Sequence, residues 1–104
     1  MLFKNMEVRF SVETDFDNQN IKSGMIFIVK RYKSGCSHYG DLSGHSLELY
    51  DSKLNERLVN RSFDTRYDYI PVKYEDWINF WKDYIEEDYG VEIENYFYQE
   101  ELVE

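Results

Sequence analysis

The sequence predicts an α+β domain: a small antiparallel β-sheet of about five strands, in the order β-β-β-β-α-β, with one C-terminal amphipathic helix packed on it. Three observations carry that prediction. Apolar and polar residues alternate without a fault from Met6 to Glu13, the period of a half-buried strand. After Pro71 the apolar residues change to helical spacing, and beyond Gly90 they return to alternation.

Along the chain, Met6, Val8, Phe10 and Val12 form the core side of the first strand. Asp15 to Gly24 is rich in turn formers and reads as a loop. Met25 to Val29 is continuously apolar and β-rich, which suits a central strand, with Lys30 to Lys33 carrying it towards solvent. Ser34 to His45 holds three glycines and no periodicity, and is expected to be a mobile connection. Ser46 to Tyr50 is the third strand and Asp51 to Asn55 its turn. Glu56 to Tyr67 is the fourth, with Val59, Phe63 and Tyr67 in one phase; Leu58 falls in the other phase, the mark of a bulge. Tyr74, Trp77, Ile78, Trp81, Ile85 and Tyr89 then recur at helical spacing, flanked by Phe80 and Tyr84. Gly90 stands just past the helix end. Val91-Glu92-Ile93-Glu94 opens a last strand running to about Tyr98.

The 104 residues read as a single domain, 1–104, long enough for one modest core. Ten Tyr, seven Phe and two Trp supply much of that core, and with one Pro they argue against disorder despite the acidity. Cys36 is the only cysteine, so no internal disulfide forms, which suits a reducing compartment. The first residues lack the apolar stretch of a signal peptide, and the longest apolar run, Met25 to Val29, is too short to span a bilayer. A cytoplasmic protein with no membrane partner is the expectation. The chain contains no alanine and is rich in Asn, Ile, Lys, Tyr, Asp and Glu, the bias of AT-rich codons and of low-GC bacteria, their phages and plasmids.

Charge is distributed unevenly. Of 21 acids and 12 bases, eleven acids and one base lie in residues 75–104. That segment nets −10 and the preceding 74 residues +1, so the entire imbalance of −9 resides in the last thirty residues. Glu75 and Asp76 suit a helix N-terminus, whereas Glu86, Glu87 and Asp88 occupy the last turn, each opposing the macrodipole by roughly 0.3–1 kcal/mol. Asp83 adds like-charge repulsion three and four residues from Glu86 and Glu87. Selection for stability alone favours Lys or Arg there.

Strict alternation places Glu92 and Glu94 on one face of the last strand, and Glu100, Glu101 and Glu104 extend the charge. Helix and strand would then present carboxylates interleaved with Tyr84, Tyr96 and Tyr98, a pairing of apolar ring and polar rim suited to protein interfaces. The field repels nucleic acid and attracts basic-surfaced proteins. In composition residues 75–104 are similar to small acidic anti-restriction and anti-CRISPR proteins of phages and plasmids, without any shared motif. That likeness implies an inhibitor whose acids imitate phosphate rows and block a nuclease or other nucleic-acid-binding protein. A bland reading of the same residues is a solvated face that keeps a small protein soluble.

The remaining candidates are weaker. Cys36, His38, Asp41 and His45 are all potential zinc ligands, but their spacing matches no metal-binding pattern. No nucleophile-base pair, desolvated carboxylate dyad or phosphate-binding glycine loop is recognisable, so the expectation is a non-enzyme without metal or cofactor. Lys30, Arg31, Lys33, Arg57, Arg61 and Arg66 would suit a small nucleotide-ligand-binding module; protection of sheet edges and pairing with acids such as Asp64 and Asp68 explains them more simply. A toxin-immunity protein is the other alternative with the same acidity. Open sheet edges would also permit a homodimer.

Overall fold

The computed structural model describes residues 3–13, 21, 24–37, 40–51 and 53–103; of residues 3, 13, 34–37, 40–42, 102 and 103 it describes the backbone only. Five antiparallel strands form one sheet with a single helix on it, as the periodicities predict. They are β1 (Phe3–Glu13), β2 (Ile26–Ser37), β3 (Gly40–Asp51), β4 (Glu56–Asp64) and β5 (Glu92–Val103), with α1 (Tyr74–Tyr89) between the last two. The sheet order is β4-β3-β2-β1-β5. Strands β1 to β4 form a meander, and α1 returns the chain across it so that β5 pairs antiparallel with β1.

Period-two burial fixes one core face. Val8, Phe10, Phe27, Val29 and Leu47 are fully buried, and Leu49 nearly so. Against them lie Trp77, Ile78, Trp81 and Ile85 from the inner side of α1. The helix begins after Lys73, whose extended backbone (ψ 141°) makes no side-chain cap, and ends at Gly90 in the left-handed conformation (φ 63°). There the Gly90 N–H donates to the Glu86 carbonyl at 3.1 Å, the helix-ending bond that a glycine makes without steric cost.

Three sequence expectations need correction. The 34–45 segment is not a free connection: β2 continues to Ser37 and β3 begins at Gly40, with Lys33 opposite Ser43 and Arg31 opposite His45. Its glycines masked the pattern, and at Gly44 the reason for glycine is packing. A Cβ there would stand 2.5 Å from the Tyr32 ring lying across it. Second, β4 stops at Asp64 rather than Tyr67. The Asp64 carboxylate accepts the Arg66 N–H at 2.8 Å, and its carbonyl accepts the N–H groups of Tyr67 and Asp68, both at 2.9 Å. That turn competes with the ladder, and it leaves Tyr67 exposed. Third, β5 runs well past Tyr98, to Val103. The bulge expected at Leu58 is present: Leu49 pairs with Val59 and Tyr50 with Arg57, so Leu58 is the extra residue.

A candidate protein-binding surface on α1 and β5

The outward side of α1 carries Glu75, Asp76, Asp83 and Glu87, all exposed and none in an ion pair with a described residue. The other two acids of the last turn are committed to the fold. The Glu86 carboxylate accepts the Ile93 N–H at 3.1 Å, tying the helix end to the start of β5. Asp88 meets the Arg61 guanidinium of β4 at 3.1 Å, and that guanidinium also lies 5.3 Å from the Phe63 ring and 5.7 Å from Tyr84. Tertiary partners thus offset the unfavourable helix-dipole position of Glu86 and Asp88, whereas Asp83 and Glu87 have no ion-pair partner among the described residues.

On β5 the alternation breaks. Ile93 pairs with Val12 and Asn95 with Ser11, leaving Glu94 as the extra residue of a bulge. The consequence reverses the expected arrangement of the strand. Glu92, paired with Glu13, lies on the face away from α1, while Tyr96 and Tyr98 turn towards the helix opposite Phe10 and Val8. Without the bulge all four residues would share one face.

The three tyrosines therefore differ in availability. Tyr98 packs edge-on against Tyr74 at 4.5 Å and near Trp77 at 6.2 Å. Its hydroxyl donates to Glu100 at 2.9 Å, and burial, helped by that carboxylate, pushes the phenol up to about 12. Tyr84 is held among Phe63, Trp81 and Phe80. Only Tyr96, 45% exposed, offers much of its ring. Between α1 and β5 beside it runs an open groove of about 350 Å³, lined by Ile78, Asn79, Lys82, Ile93, Glu94 and Tyr96. It continues past Tyr74 and Glu75 into a second depression of about 230 Å³.

Other aromatic residues are exposed where the sequence did not announce it. Phe97 is 63% exposed on the other face of β5, and Tyr67 and Tyr69, in the chain leading to α1, are 82% and 90% exposed. The turn signal Asp64-Thr65-Arg66 marked the strand end that frees Tyr67.

His45 is a core residue. It is wholly buried, and its Nδ1 accepts the Trp77 indole N–H at 3.2 Å. The proton of the neutral ring therefore sits on Nε2, and burial, reinforced by Arg31, lowers the imidazole to about 4. A ring held this way is withdrawn from the Cys36-His38-Asp41-His45 set; His38 and the side chains of Cys36 and Asp41 lie outside the described residues. The signal was legible: His45, Leu47 and Leu49 share one strand phase.

The basic residues are largely engaged. Arg57 pairs with Glu48 at 3.3 Å, Arg66 with Asp64 at 2.9 Å, and Arg9 and Lys30 approach Glu7 at 3.4 and 3.9 Å. Arg31 donates to the Ser43 hydroxyl at 3.2 Å and the Lys4 carbonyl at 3.1 Å. A depression of about 440 Å³ lies beside Glu7 and Lys30, which pair with each other at 3.9 Å. No helix among the described residues is long and apolar enough to cross a membrane. No protein-family model matches the chain, and neither the curated proteins nor the solved structures contain a significant match to it.

Proposed function

We propose that the protein is a non-enzymatic acidic inhibitor of the anti-restriction or anti-CRISPR type, carried by a phage or other mobile element. It docks on a lysine- and arginine-lined cleft of a nucleic-acid-processing enzyme and excludes the nucleic acid by competition. The observation that carries this reading is a set of exposed carboxylates with no ion-pair partner among the described residues: Glu75, Asp76, Asp83 and Glu87 on the outer side of α1, Glu94 in the groove beside Tyr96, and Glu92 on the face of β5 that also carries the exposed Phe97. Surface acids kept for stability would be expected to hold partners, as Glu86 and Asp88 do. Exposed aromatics with charge around them match the aromatic centre and polar rim of an interface.

The test is a tagged pull-down from native-host lysate at low salt, with bound proteins identified by mass spectrometry. The control bait carries Asp83→Asn, Glu87→Gln, Glu92→Gln and Glu94→Gln, and leaves Glu86 and Asp88 intact because they hold the fold. A nuclease or other nucleic-acid-binding protein should be retained by the wild type alone. Its affinity should fall as salt rises from about 0.05 to about 0.5 M, because exposed charges are screened over that range. Equal recovery by both baits, or an affinity flat in salt, would reduce the acidic surface to solvation. A captured toxin in place of a nuclease would make this an immunity protein acting through the same surface.

A further inference from the structure

The two edges of the sheet are β4 and β5. Strand β4, shorter than β5, carries the Leu58 bulge and has Arg57 and Arg61 spent on Glu48 and Asp88. Bulges and engaged charges are the usual protection against further strand pairing. Strand β5 is twelve residues long, and beyond its bulge at Glu94 it runs in regular register from Asn95 to Val103. Along that stretch alternate N–H and C=O groups point away from β1, and no described strand meets them. Tyr96 stands on the helix side of this edge and Phe97 on the other, both exposed.

We infer that the outer edge of β5, from Asn95 to Glu101, accepts an extended lysine- or arginine-bearing segment of the partner as a sixth strand. The inference rests on the acidic-inhibitor reading for the chemistry of that partner. Main-chain hydrogen bonds would supply affinity and alternate side chains specificity, the general mode of strand addition. Side chains of the added strand on the helix side reach the groove between α1 and β5, where Glu94 and, farther along, Glu75 receive a cation. Those on the other side pass Phe97, with Glu92 and Glu101 at the two ends. Among the described residues Lys82 is the one cation lining the groove, and Lys4 lies 3.5 Å from Glu100.

A second copy of the chain fits this edge poorly. Self-pairing would bring together two copies of residues 75–104, each carrying a net charge of −10, and like charges repel across a strand pair. A basic segment meets the same carboxylates with the opposite charge.

The test titrates the full ¹⁵N-labelled chain with two capped nine-residue peptides of equal charge, one alternating Lys and Val, the other with the same number of Lys and with Pro at both odd and even positions, so that neither side of the strand keeps its row of N–H groups. Proline removes the N–H groups a ladder needs and leaves the charge unchanged. The variation is confined to the peptide, so the folding of the protein is not at stake. The Lys-Val peptide should bind about tenfold tighter or better, with amide shifts and slowed hydrogen exchange concentrated on residues 95–101. Equal affinity of the two peptides, with shifts spread over Glu75, Asp83 and Glu87, would overturn the edge and leave the acidic-inhibitor reading standing. Binding by neither peptide would overturn it too, and the pull-down would still decide the inhibitor reading by itself. A dimer in equilibrium sedimentation that protects the same amides would place a second copy on the edge instead.

Discussion

The two sides of α1 follow opposite rules. Beneath it, Trp77 and Trp81 are fully buried against His45 and Phe63, with ring centroids 5.2 to 6.3 Å apart. Volume and geometry there are fixed by close packing, in which one misplaced methylene is felt. Above it, Glu75, Asp76, Asp83 and Glu87 touch no described partner, and their replacement should leave the fold almost unchanged. Between these extremes lie Glu86 and Asp88, acids on the rim that reach back to β5 and β4. The contrast separates acids kept by folding from acids available for something else, which composition alone could not do.

Substitutions ordered from the inside outwards should trace that gradient. Trp81→Ala should cost about 3–5 kcal/mol, the range for truncating a buried aromatic, read as a lowered midpoint in urea unfolding followed by fluorescence. A loss near 1 kcal/mol would mean that the seam is loosely packed.

The next effect is pH-dependent. Unfolded His45 takes its proton near 6.5 and folded His45 only near 4. Above pH 6.5 both states are neutral and no penalty exists. As pH falls from 6.5 to 4 the unfolded state alone binds the proton, so stability is lost progressively, levelling off below 4. The loss is on the order of 3 kcal/mol, and it lies at higher pH than the loss from Asp64, whose carboxyl Arg66 holds below its usual range. His45→Gln should flatten urea midpoints compared at pH 7 and 4.5. An identical drop in both proteins would remove His45 as its source.

At the rim, Glu86→Ala removes the acceptor of the Ile93 N–H and should cost about 1–2 kcal/mol. Glu87→Gln, one residue on, should stay within about 0.5 kcal/mol. Thermal melts of the two variants side by side check the pair; equal losses would erase the distinction between folding acids and free ones.

The sheet and helix were legible because periodicity is local. The 2.0 and 3.6 repeats, the Gly90 cap and the off-phase Leu58 each follow from a residue's immediate neighbours. The errors arose where local signals conflict. Glycines hid the long β2–β3 hairpin because Gly44 answers to Tyr32, twelve residues earlier in the chain. His45 was grouped with polar neighbours in sequence although its strand phase placed it with Leu47 and Leu49.

For the candidate surface, the sequence by itself determined the charge: residues 75–104 are acidic in any fold, and helical spacing alone sends Glu75, Asp76, Asp83 and Glu87 outward. Which acids are free, and which rings are exposed, only the tertiary structure decided. The bulge at Glu94 turns Tyr96 and Tyr98 to the helix side and Glu92 to the other, and nothing in an alternating run of Glu, Ile and Tyr announces it. Arg61 and Ile93 claim Asp88 and Glu86 through contacts made once β4, α1 and β5 have assembled. A side chain's solvent exposure and its partners are properties of the packed molecule, set by residues far away in the chain.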